Sequence, residues 1–219
     1  MALFSTARFV ASAHELHELP PDFGAEVAFA GRSNAGKSSA LNALTQRKRL
    51  AFVSKTPGRT QTINFFECDG NRRLVDLPGY GYAAVPQKER AHWGKLISAY
   101  LQNRRSLRGL VLIVDARHPL TPLDRQLLEW HAASGQPVLV LLTKADKLTR
   151  GDAAKHLAAA NALLPELHPA ATAQLFSAVA GTGQRSAYAT VAAWLTSPEG
   201  AAAPPSSGPG NKKPPVKGE

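Results

Sequence analysis

Lys37 follows a glycine, precedes two serines and lies six residues beyond Gly31. The run Gly31-Arg32-Ser33-Asn34-Ala35-Gly36-Lys37-Ser38-Ser39 thus puts a pliable backbone, an ammonium and hydroxyls into one short loop. This is the spacing of a phosphate cradle. Glycines at both ends let the chain curl so that successive N–H groups turn inward toward phosphate oxygens. Lys37 is expected to reach the β- and γ-phosphates, and the Ser38 hydroxyl to bind Mg²⁺.

The elements around the loop must aim it. Val27-Ala28-Phe29-Ala30 reads as a strand entering the loop, and a helix is expected from Lys37 to about Thr45. Such a helix adds its unpaired N–H groups and positive dipole end to the same point. A chance glycine turn would need neither the strand nor the helix.

A second constellation follows at Asp76-Leu77-Pro78-Gly79, after the apolar run Leu74-Val75. A carboxylate at a strand's carboxyl end beside a glycine turn suits a second nucleotide element. Asp76 would hold Mg²⁺ through water, and the Gly79 N–H would sense the γ-phosphate. Tyr80 comes next, where Ras-like enzymes carry a water-orienting glutamine. A phenol of ordinary pKa about 10 is no base at neutral pH, so intrinsic hydrolysis is expected to be slow. Between the two constellations, residues 47–66 contain no acidic residue. Thr56-Pro57-Gly58-Arg59-Thr60-Gln61-Thr62 within them has loop chemistry, where a nucleotide switch would stand.

Thr143-Lys144-Ala145-Asp146 ends the apolar run Val138 to Leu142 and resembles the [NT]-K-x-D element of guanine-nucleotide-binding proteins. One carboxylate can accept from both the N1–H and the 2-amino group of guanine, a paired contact adenine does not offer. Asp146 fits that role, with the Lys144 stem along the ring. By the same pattern Phe176, Ser177 and Ala178 supply a backbone contact to the base. Val179 stands where that pattern usually has lysine.

The chain of 219 residues suits one domain. The order strand, loop, helix recurs. It predicts a three-layer α/β fold, with a mostly parallel six-stranded sheet, one antiparallel strand and helices on both faces. The expected strands are Glu26 to Ala30, Thr62 to Cys68, Arg72 to Asp76, Gly109 to Asp115, Pro137 to Leu142 and Gln174 to Ser177. Asp69-Gly70 is expected as a hairpin turn, and Thr121-Pro122 as the start of a helix. An alanine-rich helix, Ala153 to Leu164, is expected to stop at Pro165. Residues 1–23 read as a segment packing on the domain edge, 24–197 as the domain, and 198–219 as a disordered Pro/Gly/Lys tail.

One cysteine, Cys68, excludes an internal disulfide or a multi-cysteine metal site, and packing is its expected use. No apolar run is long enough to span a bilayer and no export signal is evident. A cytoplasmic monomer is expected. The formal net charge is +10, of which residues 199–219 contribute only +1. The basic folded surface therefore suits a polyanion, RNA before membrane lipid.

Four strings together, residues 31–39, Lys55-Thr56-Pro57-Gly58-Arg59-Thr60-Gln61, Asp76-Leu77-Pro78-Gly79-Tyr80-Gly81-Tyr82 and Thr143-Lys144-Ala145-Asp146, resemble the EngB (YihA/YsxC) family of bacterial GTPases. The resemblance covers roughly residues 1–197. It implies a Mg²⁺-dependent GTPase that binds GTP and GDP and acts in assembly of the large ribosomal subunit, with a link to cell division and septation. It adds Gly58, Arg59, Thr60, Gln61 and Thr62 to the nucleotide contacts. By the family pattern Thr60 is the switch threonine that joins Ser38 on Mg²⁺; from the residues alone Thr56 and Thr62 compete. Asn34 resembles the asparagine of GTPases that hold K⁺ beside the phosphates, against the plainer role of shaping the loop. The rival readings are a binding module acting on division proteins, with incidental hydrolysis, and a phosphotransferase, for which no acceptor-binding lid is evident.

Overall fold

A computed structural model describes residues 2–51, 62–81 and 87–197. The expected switch residues Thr56, Gly58, Arg59, Thr60 and Gln61, with Tyr82 and the tail 198–219, lie outside the described residues.

Seven strands and six α-helices follow one another along the described chain: α1 (Ala2–Ser5), β1 (Arg8–Ala13), β2 (Ala25–Gly31), α2 (Lys37–Thr45), β3 (Ile63–Asp69), β4 (Arg72–Asp76), α3 (Gln87–Asn103), β5 (Leu107–Asp115), α4 (Pro122–Ala132), β6 (Val138–Thr143), α5 (Arg150–Leu167), β7 (Ala171–Leu175) and α6 (Gln184–Thr196). The strands form one sheet in the order β1-β3-β4-β2-β5-β6-β7. β2 pairs in parallel with β4 and β5, β5 with β6, and β6 with β7, while β3 runs antiparallel to both β1 and β4. The expected α/β class with one reversed strand is what forms.

The sheet has seven strands where six were expected, because Arg8–Ala13 adds an edge strand beside β3. Three local expectations also need correcting. The hairpin closes with Asp69 opposite Arg72, so Gly70-Asn71 form the turn, Gly70 taking the positive φ of 57°. Pro165 does not stop α5, which runs on to Leu167. Near a helix end a proline removes one N–H donor only, and the His168 N–H still reaches the Leu164 carbonyl at 2.8 Å. The last strand is Ala171–Leu175, leaving Phe176 and Ser177 beyond it.

Period-two alternation divides the core. In β5, Leu110, Leu112 and Val114 face one layer while Val111 and Ile113 face the other; β6 does the same with Val138, Val140 and Leu142 against Leu139 and Leu141. The first layer is covered by α3, α4 and α5 through Leu96, Tyr100, Leu127, Leu128 and Leu164. The second is covered by α1, α2 and α6 through Phe4, Leu41, Leu44, Val191 and Leu195. Burial on both faces explains why these strands are continuous apolar runs. Among the described residues no helix is long and apolar enough to cross a membrane. Cys68 is buried, which pushes its thiol up to about 12.

Below the sheet, at the amino ends of the parallel strands, a fully buried carboxylate anchors the frame. Glu26 takes Arg73 at 3.0 Å, Arg104 at 2.7 and 2.9 Å and the Tyr100 hydroxyl at 2.9 Å. A buried carboxylate needs such a complete set of donors. The opposite pole is left free for the loops.

Candidate nucleotide site

The loop after β2 turns back on itself through two left-handed residues, Asn34 at φ 64° and Gly36 at φ 104°. Only glycine adopts the second freely, and Gly36 is the residue before α2 begins. Gly31 serves a different need: a Cβ there would lie 2.6 Å from the Ile113 carbonyl oxygen, so its side-chain-free backbone lets β2 and β5 stay close. Ala40 makes the first α2 hydrogen bond, to the Gly36 carbonyl at 2.9 Å. The N–H groups of Lys37, Ser38 and Ser39 therefore lack intrahelical partners and point out of the helix start. Lys37 is buried and its ammonium pairs with the Asp76 carboxylate, itself buried at the end of β4. Those two sequence-predicted residues meet.

The Asp76–Gly79 segment is laid on the phosphate loop by the backbone. Leu77 N–H donates to the Phe29 carbonyl at 3.0 Å, Tyr80 N–H to Gly31 at 3.3 Å, and Ser33 N–H to the Tyr80 carbonyl at 3.0 Å. A Cβ on Gly79 would sit 3.4 Å from the Ser33 nitrogen, so the two loops are in contact there. Arg32 and Tyr80 form a parallel bridge. The Tyr80 hydroxyl donates to Asp124 at 2.7 Å. Burial, then the Asp124 carboxylate, push the phenol well above its usual 10. Tyr80 is a fixed strut and no base.

The end of β6 supplies the third part. Thr143, buried, sets its hydroxyl between the carbonyls of Ala35 in the phosphate loop and Val114 in β5. The Lys144 ammonium donates to the Asn34 carbonyl at 2.8 Å and to Asp115 at 2.9 Å. Asp146 accepts from the Ser177 hydroxyl at 2.6 Å, and that bond above all holds its carboxyl below the usual range. Ser177 Oγ accepts in turn from the N–H groups of Val179 and Ala180, which closes the turn after β7. Gln184 donates to the Ser177 and Ala178 carbonyls at 3.0 and 3.3 Å. Ala145 is buried, and its N–H reaches the Phe176 carbonyl at 3.2 Å.

Not every predicted residue presents a side chain to this pole. Phe176 is buried in the layer under α2 and α6, so only its backbone ties Ala145 in place. The Thr62 hydroxyl donates to Asn64 at 3.1 Å, which occupies that switch-threonine candidate locally. Asn34 is exposed, Ser38 and Ser39 are half-buried, and Val179 is 89% exposed. Sequence reasoning missed Asp115, Arg117 and Asp124. Asp115 closes the apolar run of β5, the one signal that could have marked it, since the other carboxyl-end carboxylate, Asp76, was read that way.

The arrangement offers a helix start, an ammonium, a buried carboxylate and the hydrogen-bonded carboxylate of Asp146, all at the carboxyl ends of β2, β4 and β6. Such sheets bind ligands there. Residues 26–144 match the family described as 50S ribosome-binding GTPase. A probable GTP-binding protein EngB of Aromatoleum aromaticum is 54% identical over 198 residues, covering 90% of this chain and 92% of that protein. A protein of the same description from an Azoarcus species is 56% identical over 196 residues, covering 89% and 94%. Among solved structures, a probable GTP-binding protein EngB superposes with a TM-score of 0.60 at 22% identity, covering 78% of this chain and 98% of that one. Era bound to MgGDPNP and a 16S ribosomal RNA fragment gives 0.60 at 21%, covering 80% and 58%; at these identities both share the fold. With more than half of its relatives' sequence in common across nearly its whole length, the chain belongs to the EngB family of GTP-binding proteins, P-loop enzymes that hydrolyse GTP.

Proposed function

We propose that this GTPase is a Mg²⁺-dependent switch in assembly of the large ribosomal subunit. The observation that carries the reading is the buried Lys37–Asp76 pair, which joins the phosphate-loop cation to the DLPG carboxylate; Ser38 follows Lys37 in the chain and is half-buried. Hydroxyl and carboxylate oxygens are the hard donors Mg²⁺ prefers. Ser38 and Asp76 would hold the ion, Asp76 through water, with Thr60 as the switch threonine; when bound, Mg²⁺ neutralises charge on the β- and γ-phosphates. The Gly79 N–H reports the γ-phosphate, and GTP orders the segment around Gly58, Arg59, Thr60 and Gln61.

Tyr80 supplies no proton acceptor, so an outside charge is needed to speed hydrolysis. Asn34, exposed on the phosphate loop, would help seat K⁺ for that purpose. Asp146, Ser177 and Ala178 read guanine, with the Lys144 stem along the ring.

Support for the ribosomal part comes from the family description matched by residues 26–144 and from the net charge of +10, which suits a polyanionic RNA partner. On the same reading the chain would act in the cytoplasm as a monomer, with any link to septation an indirect one. Co-sedimentation with purified large subunits tests it. Binding with a non-hydrolysable GTP analogue that fades with GDP is the expected result. Binding indifferent to nucleotide, or lost at moderate salt in both states, overturns the switch.

A further inference from the structure

Lys144 carries a flexible four-carbon stem, and such an ammonium has no fixed place unless something holds it. Here it is held twice, by the Asn34 carbonyl at 2.8 Å and by Asp115 Oδ2 at 2.9 Å. Both ends of the first contact are in left-handed backbone: Lys144 at φ 57° and Asn34 at φ 64°. Non-glycine residues keep that conformation where surrounding contacts fix it.

Asp115 is itself immobilised. It is the last residue of β5, in register with Thr143, and the Ala116 N–H crosses back to the Thr143 carbonyl at 2.8 Å. Arg117 grips both carboxylate oxygens, Nε to Oδ1 at 2.9 Å and Nη2 to Oδ2 at 2.7 Å, and adds its own N–H to Oδ1 at 3.1 Å. A bidentate guanidinium fixes the plane of a carboxylate as well as its charge. The Asp115 side chain is only 16% exposed, so water competes poorly for it.

We infer that Asp115 and Arg117 are positioning residues for nucleotide binding: through Lys144 and Asn34 they lock the base-reading loop to the phosphate loop. This rests on the nucleotide site proposed above. Neither residue touches the ligand in this scheme; both act through the Lys144 ammonium. The clamp acts on the half of the nucleotide shared by GDP and GTP, so it sets affinity for both and leaves discrimination between them alone.

A double-mutant cycle tests the clamp in the full chain, read by the affinity and dissociation rate of fluorescent GDP and of a fluorescent non-hydrolysable GTP analogue. Asp115→Ala is expected to weaken both nucleotides by a similar factor, about 10- to 100-fold, the range for losing a hydrogen bond to a charged group. Most of the change appears as faster dissociation. Lys144→Ala should lose at least as much, since it also removes the Asn34 contact and the stem along the base, and the double variant no more than Lys144→Ala alone. Asp115→Asn keeps the shape without the charge and should recover part of the loss, with Arg117→Ala falling between it and wild type. Losses that add in the double variant, or that scale with a lowered melting temperature, would overturn the clamp. So would wild-type affinity in a folded Asp115→Ala chain, leaving the site reading intact. A wild-type chain that binds neither nucleotide overturns the site and the clamp together.

Discussion

The Tyr80 hydroxyl lies 2.7 Å from Asp124 Oδ1, while the other oxygen of the same carboxylate caps α4 by accepting from the Thr121 N–H at 2.8 Å and its hydroxyl. One buried carboxylate therefore holds both the residue after the DLPG turn and the start of a helix. Tyr80→Phe removes a donor to a buried charge and should destabilise the fold by about 1–3 kcal/mol in urea unfolding. Because Tyr80 is no base, the pH profile of GTP hydrolysis should keep its shape in that variant. A lost alkaline limb would show that the phenol takes part.

Asp146 should decide which purine binds. Asp146→Asn replaces two acceptor oxygens with one acceptor and an amide donor, which suits a 2-oxo purine better than guanine. Competition against a fluorescent nucleotide should show guanine affinity falling by about 10⁴-fold and xanthine nucleotides gaining. Ser177→Ala should lower guanine affinity too but less, since it removes the bond that aims the Asp146 carboxylate.

Glu26 is fully buried with Arg73, Arg104 and Tyr100 around it. Glu26→Gln removes the carboxylate that Arg73 and Arg104 share, leaving Arg104 only Asp22 at 3.6 Å as counter-charge among the described residues, and should cost about 3–5 kcal/mol in chemical denaturation. The cluster lies at the pole away from the nucleotide loops. The folded fraction of the variant should bind GDP like the wild type.

His131 and His168 predict an acid-sensitive stability. Both are buried, with ring centroids 5.6 Å apart. Burial, with the neighbouring His168, pushes His131 down to about 3, and burial lowers His168 as well. Folded values below the unfolded 6.5 mean that the native state holds fewer protons in this range. Their stabilising share is complete above pH 6.5 and is lost as pH falls through the window down to about 3. Unfolding free energy measured from pH 7 to 4 should fall, and should fall less steeply in His131→Phe.

The loops at the carboxyl pole of the sheet were largely legible in the sequence because their residues are local. Residues 31–39, 76–79 and 143–146 each pack donor type, glycine and strand end into a few consecutive positions. The buried strands β5 and β6 were equally plain, since strands covered on both faces are unbroken apolar runs. What escaped was of two kinds. Arg8–Ala13 and Ala171–Leu175 lack a long apolar run: the first is an edge strand with mostly exposed side chains and a register shift between Phe9 and Ala11, the second is alanine, threonine and glutamine for most of its length. The other kind is contact across the fold. Asp115 meets Lys144 from 29 positions away, and Tyr80 meets Asp124 from 44. No spacing rule encodes such pairs; strand register and loop closure do.

Thr143 touches the phosphate loop, yet its strand is not next to the one that feeds that loop; β5 lies between them. Adjacent strands stand about 4.8 Å apart, so the two half-sites are offset sideways by about 10 Å. The sheet thus acts as a ruler. On the proposed reading a free purine or a lone phosphate would fill one end of it, and a molecule with a base and a phosphate chain joined at the right length would reach both marks at once. On the proposed site, selectivity for a whole nucleotide over its fragments would follow from the strand order itself.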